Sequence, residues 1–315
     1  MAETRVQTAV STRGLVKRFG NQVAVDGVDL DVPAGTVFGL LGPNGAGKTT
    51  IVRMLATLLP PDGGTAAVGG YDVVRQAPSV RRIIGLTGQY ASVDESLSGR
   101  ENLYMIGRLL DLPAKAARAR ADSLLETFGL ADAAKKLAKN YSGGMRRRLD
   151  LAASLVGTPR VLFLDEPTTG LDPQRRNDLW DIVRELAWGG TTVLLTTQYM
   201  EEAEALARHI AVMDHGRVIA SGSPEQLKQQ VSGRRLRLRP AEATELPVLQ
   251  ALMSDVLGTA EEDESGYLSA PLAGDDQLNT VLRRVAAKEI ALADVGTVTA
   301  SLDEVFLMLT GKGES

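Results

Sequence analysis

The feature that most constrains the fold is a short apolar run that leads directly into a glycine-rich loop. Residues 36–41 (TVFGLL) have the continuous apolar character of a strand buried in the middle of a sheet. Apolar residues recur at helical spacing after the loop, from Ile51 to Leu58. The loop itself comprises Gly42, Pro43, Asn44, Gly45, Ala46, Gly47, Lys48, Thr49 and Thr50. This order of strand, loop and helix predicts an α/β fold around an anion-binding loop.

The loop fits the pattern G-x-x-x-x-G-K-[ST] and carries the groups that hold a polyphosphate. Its glycines allow backbone conformations that direct several N–H groups at phosphate oxygens. Lys48 supplies a positive charge for the outer phosphates, and Thr49 supplies a hydroxyl for Mg²⁺. A plain glycine-rich turn is the simpler interpretation, but the position between a strand and a helix favours a phosphate site. We predict that residues 42–50 bind a nucleotide and that Lys48 also serves catalysis.

A second apolar run, residues 161–164 (VLFL), ends in two carboxylates. The carboxyl ends of parallel strands are where α/β sheets bind ligands, so Asp165 and Glu166 are expected near the loop. Asp165 can orient Mg²⁺ and its water shell. Glu166 can accept a proton from an attacking water. Alone, this motif could be a solvated acidic turn; together with the phosphate loop it predicts nucleotide hydrolysis.

The composition excludes several other classes of protein. A net charge of −4 argues against a dedicated nucleic-acid binder, and the absence of cysteine excludes disulfides and thiolate metal sites. With His209 and His215 as its only histidines, a zinc enzyme is disfavoured. No stretch approaches the roughly 20 apolar residues of a membrane span, and residues 1–13 lack the apolar core of a signal peptide. We expect a cytoplasmic chain that reaches a membrane only through a partner.

The rest of the chain predicts one large and one small domain. Residues 192–197 (TVLLTT) read as a further buried strand and residues 102–139 as helical, so strands alternate with helices as in a parallel sheet. We assign residues 1–232 to the large domain, with a helical subdomain at about 90–160. Residues 233–315 form the predicted small C-terminal α/β domain, with an accessory or regulatory role.

Two features of the small domain have competing interpretations. Residues 234–239 (RRLRLR) alternate arginine and leucine, which favours an edge strand over a nucleic-acid patch. An apolar helical stripe near the end packs either into the domain's own core or against the large domain or another subunit. The stripe consists of Leu302, Val305, Phe306 and Leu309.

A third chemical element is the segment 141–145 (YSGGM), which three arginines follow. Ser142, Gly143 and Gly144 are small residues at a helix start, where free N–H groups can bind a second anion. Taken alone, the segment could be a turn and a helix cap, with the arginines on a solvated face.

In order and spacing, the three elements resemble the nucleotide-binding subunit of an ATP-binding cassette (ABC) transporter, from about residue 10 to residue 223. The resemblance implies a P-loop NTPase fold with a mixed sheet core, an antiparallel β subdomain and a helical subdomain. It also implies a homodimer with ATP between its copies. Ser142, Gly143 and Gly144 of one copy would then contact the γ-phosphate of ATP held by the other.

The resemblance assigns roles to four further residues. Phe19 would stack on adenine, although a core aromatic is the simpler interpretation. Gln89 would contact Mg²⁺ and the attacking water, close to the membrane-subunit contact, and Asp172 would lie at the dimer interface. Gln198 stands where the family usually has a catalytic histidine that contacts the γ-phosphate. An amide can donate and accept hydrogen bonds but cannot become cationic, so this chain lacks the imidazole that the family's usual mechanism has at this position.

Three short segments are similar to the daunorubicin-resistance subfamily of drug and lipid exporters: residues 90–94 (YASVD), 141–145 (YSGGM) and 302–307 (LDEVFL). The implied function is hydrolysis of ATP with Mg²⁺, coupled to efflux of a drug, antibiotic or lipid. The cargo would cross a separate multi-spanning permease, with this subunit peripheral at the cytoplasmic face of the cell membrane. No nucleic-acid partner is expected.

The alternative is a non-transport ABC ATPase, as in DNA repair or on the ribosome. Ribosome-associated members usually carry two cassettes, whereas this chain has one. Chromosome-associated members insert long coiled coils between the glutamine and signature elements, whereas only about fifty residues separate Gln89 from Ser142 here. A GTPase switch is disfavoured because the chain has no Asn-Lys-x-Asp motif.

Overall fold

The structure is a computed structural model that describes residues 7–88, 93–231, 235–263, 265–298 and 302–309. The chain divides into two compact units, Met1–Ser221 and Gly222–Ser315. Within these described ranges, no helix combines the length and the apolar character that crossing a bilayer requires.

Strands and helices alternate through most of the first unit. Its strands are β1 (Thr8–Phe19), β2 (Gln22–Pro33), β3 (Val37–Leu41), β4 (Gly63–Val68), β5 (Tyr71–Asp72), β6 (Ile84–Thr87), β7 (Val161–Asp165), β8 (Thr192–Thr197), β9 (His209–Asp214) and β10 (Arg217–Gly222), which reaches the boundary. Its helices are α1 (Lys48–Leu55), α2 (Ala77–Ile83), α3 (Gly99–Leu109), α4 (Ala114–Thr127), α5 (Gly143–Ser154), α6 (Pro173–Trp188) and α7 (Met200–Leu206).

The central sheet has the strand order β10-β9-β3-β8-β7-β6. Strand β3 pairs in parallel with β8 and β9, and β7 pairs in parallel with β8 and β6. All residues of β3, β7 and β8 are buried, because each of these strands is covered on both faces. The three strands predicted from continuous apolar runs are therefore confirmed, and their carboxyl ends meet at one edge.

A second, antiparallel sheet has the order β2-β1-β4-β5. The apolar core between the two sheets includes Val10, Leu15, Phe38 and Ile51, all of which are buried. The mixed sheet core and the antiparallel subdomain of the predicted fold are both present.

The helical region contains α3, α4 and α5. The stretch 102–139, predicted as helical, is broken because Asp111 adopts a φ of 62° and Pro113 precedes α4. Gly129, with a φ of 62°, lies directly after the C-cap of α4. Leu103, Phe128 and Leu164 are buried in one cluster, so this helical region packs against the central sheet.

The second unit is a small α/β body. Its strands are β11 (Arg235–Pro240), β12 (Glu261–Glu262), β13 (Leu268–Pro271) and β14 (Leu292–Val298), and its helices are α8 (Pro224–Val231), α9 (Leu246–Leu257), α10 (Asp275–Ala287) and α11 (Leu302–Leu309). The strand order is β12-β13-β11-β14. Leu236, Leu238, Leu249 and Val281 belong to its buried core.

Strand β11 lies inside the sheet of the second unit, and helix α11 contacts α8. The prediction of an edge strand at residues 234–239 is wrong, because β11 pairs with both β13 and β14. Its leucines enter the core, and Arg237 pairs with Asp263 on the other face. Leu302 and Val305 of the apolar stripe are buried, and α11 packs on α8. That contact groups α8 with the second unit, so the division falls earlier than residue 232.

Candidate active site

The phosphate-binding loop runs from the end of β3 into α1, and two of its glycines are required sterically. A Cβ at Gly42 would lie 2.4 Å from the carbonyl oxygen of Met213, and one at Gly47 would lie 2.3 Å from that of Ala24. Gly47 also has a φ of 100°, a backbone angle that residues with a side chain rarely adopt. The loop can therefore fold tightly against its neighbours only with glycine at these positions.

Lys48 lies at the first position of α1 with only 4 % of its surface exposed. Its Nζ donates to the carbonyl oxygens of Gly42 at 2.7 Å and Pro43 at 3.0 Å. Burial lowers the pKa of the Lys48 ammonium, an effect that the negative charges of Glu166 and Asp165 oppose. These carboxylates and carbonyls keep a positive charge at the helix N-terminus, where an anion binds favourably.

Asp165 is the last residue of β7 and is the centre of a network of oxygen atoms. Its Oδ1 accepts from the hydroxyl of Thr49 at 3.0 Å and from that of Thr196 at 2.6 Å. A hydroxyl beside a carboxylate is a ligand pair that suits Mg²⁺, which is usually held by one or two carboxylates together with waters and phosphates. The residues present therefore fit the ion that the resemblance implies.

Glu166 follows in a strained turn with a φ of 49°. Its backbone N–H donates to the backbone oxygen and the hydroxyl of Thr196, both at 3.1 Å. The hydroxyl of Thr169 donates to Glu166 Oε2 at 3.4 Å. The other carboxylate oxygen, Oε1, lies 3.6 Å from Nζ of Lys48, so the carboxylate lies beside the loop, where a proton acceptor for an attacking water is needed.

Phe19 ends β1 with 52 % of its surface exposed, so it is not a core aromatic. It borders a cleft of about 480 Å³ together with Asn44, Lys48, Thr49 and Glu166. An exposed ring at the rim of a phosphate site offers a flat surface on which a nucleobase can stack.

The signature segment begins α5. Ser142 is its N-cap and accepts from the backbone N–H of Met145 at 3.2 Å. Ser142 and Gly143 are exposed, and a Cβ on Gly143 would meet nothing within 4 Å. At Gly144 a Cβ would lie 2.8 Å from Cδ of Arg175, so a larger residue there would displace that flexible side chain. The exposed pair leaves an open helix N-terminus available to another molecule.

The structure brings some of the remaining predicted residues near the site. Gly42 N–H donates to the carbonyl of Thr197 at 3.2 Å, which places the next residue, Gln198, beside the start of the loop. Asp172 caps α6 by accepting from the N–H of Arg175 at 3.0 Å. Gln89 lies outside the described residues, and so do positions 90–92 of the YASVD segment.

The sequence patterns did not predict the roles of three residues near the site. Thr196 binds Asp165 as described above, and its only sequence signal is a hydroxyl at the end of an apolar strand. Glu202 is fully buried and accepts from the indole N–H of Trp180 at 3.2 Å. Burial raises the pKa of the Glu202 carboxyl. One of the two interpretations of the sequence put Arg147 on a solvated face, yet the residue is partly buried and donates to the Glu166 carbonyl at 2.9 Å.

Comparison with known proteins identifies the family. A family model described as ABC transporter matches residues 25–169, and one described as ATP-binding protein DrrA1-3-like, C-terminal domain, matches residues 222–310. The chain is 54 % identical over 310 residues to the daunorubicin/doxorubicin resistance ATP-binding protein DrrA of Streptomyces peucetius, covering 98 % of this chain and 94 % of that protein. This chain belongs to the ATP-binding subunits of the ABC transporter family.

Other members of the ABC family are also similar. The Nod factor export ATP-binding protein I of Ralstonia nicotianae is 40 % identical over 305 residues, which cover 96 % of this chain and 94 % of that protein. The structure of cbiO1 from Clostridium perfringens, part of the ABC transporter complex cbiONQ, matches with a TM-score of 0.65 at 26 % identity. That match covers 70 % of this chain and 90 % of cbiO1. The protein is thus an ABC ATPase whose nucleotide is ATP.

Proposed function

We propose that this ABC ATPase drives efflux of a drug, antibiotic or lipid through a separate membrane permease. The observation that carries the proposal is the meeting of Lys48, Asp165 and Glu166 at one sheet edge, in a chain 54 % identical to a drug-resistance subunit. On this view the protein is a peripheral subunit at the cytoplasmic face of the cell membrane.

Different residues of the cleft bind different parts of the ATP molecule. Phe19 stacks on the adenine ring, while Asn44 and the backbone N–H groups of the loop surround the phosphates. The Lys48 ammonium forms charge-assisted hydrogen bonds with the outer phosphates. Thr49, Asp165 and Gln89 would hold Mg²⁺, which when bound neutralises phosphate charge.

Hydrolysis is assigned to two further side chains. The Glu166 carboxylate orients the attacking water and accepts its proton. Gln198 contacts the γ-phosphate or that water through its amide, in the position beside the loop where the family resemblance implies a histidine. Because an amide stays neutral, the rate at this site should not depend on the titration of residue 198.

The signature segment acts on a second copy of the chain. The exposed N–H groups at Ser142 and Gly143 supply donors for the γ-phosphate of ATP bound by the partner, with Gly144 behind them. Asp172, at the start of α6, lies at the same interface. Binding of ATP then closes the homodimer, hydrolysis reopens it, and the segment from Gln89 to Arg108 passes the movement to the permease.

A non-transport ABC ATPase is the second candidate, and the relatives disfavour it. They are named for drug resistance and for Nod factor export, and neither name refers to DNA repair or to the ribosome. The second unit carries none of the catalytic elements, and we assign residues 233–315 an accessory or regulatory role.

Transport in cells tests the proposal. The chain and a candidate permease, encoded beside it, are expressed together in a drug-sensitive bacterium, and accumulation of daunorubicin is measured. Wild type should lower accumulation and co-purify with the permease, whereas the Lys48→Ala variant should co-purify without lowering accumulation. Unchanged accumulation of daunorubicin and of a lipid probe, with no co-purification, would favour the non-transport alternative.

A further inference from the structure

One side chain of the signature helix binds the turn that carries the proposed general base. Arg147 lies in the second turn of α5, and all three of its guanidinium nitrogens donate to backbone carbonyls. Nε donates to Pro167 at 2.7 Å, and Nη1 donates to Gly88 at 3.0 Å. Nη2 is shared between Glu166 at 2.9 Å and Asp165 at 3.5 Å.

The adjacent arginines behave differently, which indicates that this arrangement is specific to Arg147. Arg146 forms an ion pair with Glu95 at 2.6 Å. Arg148 donates to the carbonyl of Phe128 at 3.1 Å, within the helical region. Among the contacts of the described residues, Arg147 is the one of the three arginines that bonds to the end of β7 and to the segment after β6.

Burial lowers the pKa of the Arg147 guanidinium, while the charges of Asp150, Asp165 and Glu202 oppose the shift. Arginine nevertheless remains charged in proteins, so its contribution here is a fixed planar set of donors. A planar fork can hold several carbonyls in one geometry, which a lysine ammonium cannot reproduce.

The carbonyls that Arg147 binds belong to the two backbone segments that carry, or directly precede, the proposed catalytic and Mg²⁺-binding residues. Three are consecutive, from Asp165 to Pro167, and they surround the positive φ of Glu166. The fourth is that of Gly88, directly before Gln89. A cleft of about 460 Å³ adjoins this contact and is bordered by Gly143, Arg147 and Glu166. The exposed signature residues and the base are therefore connected through one side chain.

We propose that Arg147 is a positioning residue that fixes the turn of Glu166 relative to the signature helix, so that hydrolysis depends on where that helix lies. The proposal rests on the proposed function, because it takes Glu166 as the base. Arg147 acts on the backbone that orients the carboxylate, through its bonds to the carbonyls of residues 165–167. Loss of its fork leaves the loop, Lys48 and the ATP cleft intact but allows the catalytic turn to move.

The test compares Arg147→Lys and Arg147→Met with the control Arg148→Lys in the full-length chain. Steady-state hydrolysis gives kcat and KM, and displacement of a fluorescent ATP analogue gives Kd. Misplacing a catalytic group by about 1 Å can cost about 10²-fold in rate. We expect both variants at residue 147 to lose about 10- to 100-fold in kcat. ATP affinity should change less than about twofold, and Arg148→Lys should behave as wild type.

A structural readout separates positioning from general damage. Hydrogen–deuterium exchange of peptides covering residues 161–172 should accelerate in Arg147→Lys, while exchange in α1 and in the second unit stays unchanged. Wild-type kcat in both Arg147 variants overturns the proposal. Equal loss of kcat and ATP binding, with faster exchange throughout the first unit, also overturns it, since the role is then merely structural.

A double variant distinguishes failure of this inference from failure of the proposed function. If Arg147 acts through Glu166, adding Arg147→Lys to Glu166→Gln should lower the residual single-turnover rate by less than about twofold. Full additivity of the two losses contradicts the positioning role alone. Wild-type hydrolysis by Glu166→Gln instead contradicts the assignment of the base, whatever Arg147 does.

Discussion

Nζ of Lys48 lies 3.6 Å from Oε1 of Glu166, and both side chains are at most 10 % exposed. The ammonium therefore contacts the proposed base and the carbonyls of its own loop at the same time. Outer phosphates of ATP must share this ammonium with the Glu166 carboxylate. The cation that binds the substrate thus also lies next to the group assigned to activate water.

Lys48→Ala should weaken ATP binding because the phosphates lose their main countercharge. A hydrogen bond to a charged group contributes about 1.5–3 kcal/mol, which corresponds to about a 10- to 100-fold higher Kd. Titration with a fluorescent ATP analogue measures this change. Arg53→Ala is the control, because Arg53 is an exposed cation of the same helix. Equal affinity of the two variants would remove Lys48 from the binding site.

Gln198→Ala should lower hydrolysis while Gln198→His retains part of it. Removal of one donor to developing charge typically costs about 10²-fold in kcat. The histidine variant should also show a pH-dependent rate near neutral pH that the wild type lacks, since only imidazole titrates there. Rates measured from pH 6 to pH 8 report both effects. Wild-type activity of Gln198→Ala would mean that the amide takes no part in catalysis.

Gly143→Ala tests the proposed contact with a second copy. The added methyl has open space within the subunit, so folding and ATP binding should be unaffected. At the exposed helix start, however, it would obstruct an approaching phosphate. In the Glu166→Gln background, ATP should produce a dimer that Gly143→Ala prevents. Light scattering of the complex with its permease measures this, and a dimer unaffected by the methyl would contradict the assignment.

The substitution Glu202→Gln should stabilise the folded state relative to wild type, by an amount that increases as the pH rises. Burial raises the pKa of Glu202, so the folded state retains this proton to higher pH than the unfolded state does. Its contribution to stability is therefore present at low pH and is lost as the pH rises from the unfolded pKa through the native one. The glutamine still accepts from Trp180 and removes that loss. Melting temperatures from pH 4 to pH 8 check this.

The control for that experiment is Glu201→Gln, at an exposed neighbour paired with Arg176. Its melting temperature should differ from that of wild type by a small amount at every pH, since surface ion pairs contribute little. A constant difference between Glu202→Gln and wild type across the range would contradict a shifted Glu202 carboxyl.

Much of the fold follows from sequence patterns that are local. Strands β3, β7 and β8 were predictable because burial on both faces gives continuous apolar runs. Strand β1 was not, because its pairing register shifts between Thr12 and Leu15, around Gly14 with a φ of 55°. That irregularity disrupts the alternation of period two on which strand prediction depends. The interior position of β11 depended on β14, which lies far along the chain and is mostly exposed.

In the candidate site, too, residues in contiguous motifs were predictable and residues that depend on distant contacts were not. Lys48, Asp165 and Glu166 were predictable because contiguous motifs carry them to the ends of recognisable strands. Arg147 and Glu202 were not, since their roles depend on which carbonyls and rings meet them in three dimensions. An arginine between two others is interpreted as part of a solvated face until its carbonyl partners are known. The supporting contacts of a site are therefore the part that needs a structure.

The most direct test of the account is turnover by Glu166→Gln, measured beside ATP binding in the same preparation. The amide keeps the size of the side chain but is not a useful base, so kcat should fall by about 10²–10⁴-fold. ATP affinity should stay within about twofold of wild type, and the control Glu201→Gln should hydrolyse normally. Near-normal hydrolysis by Glu166→Gln would contradict the claim that this carboxylate activates the attacking water.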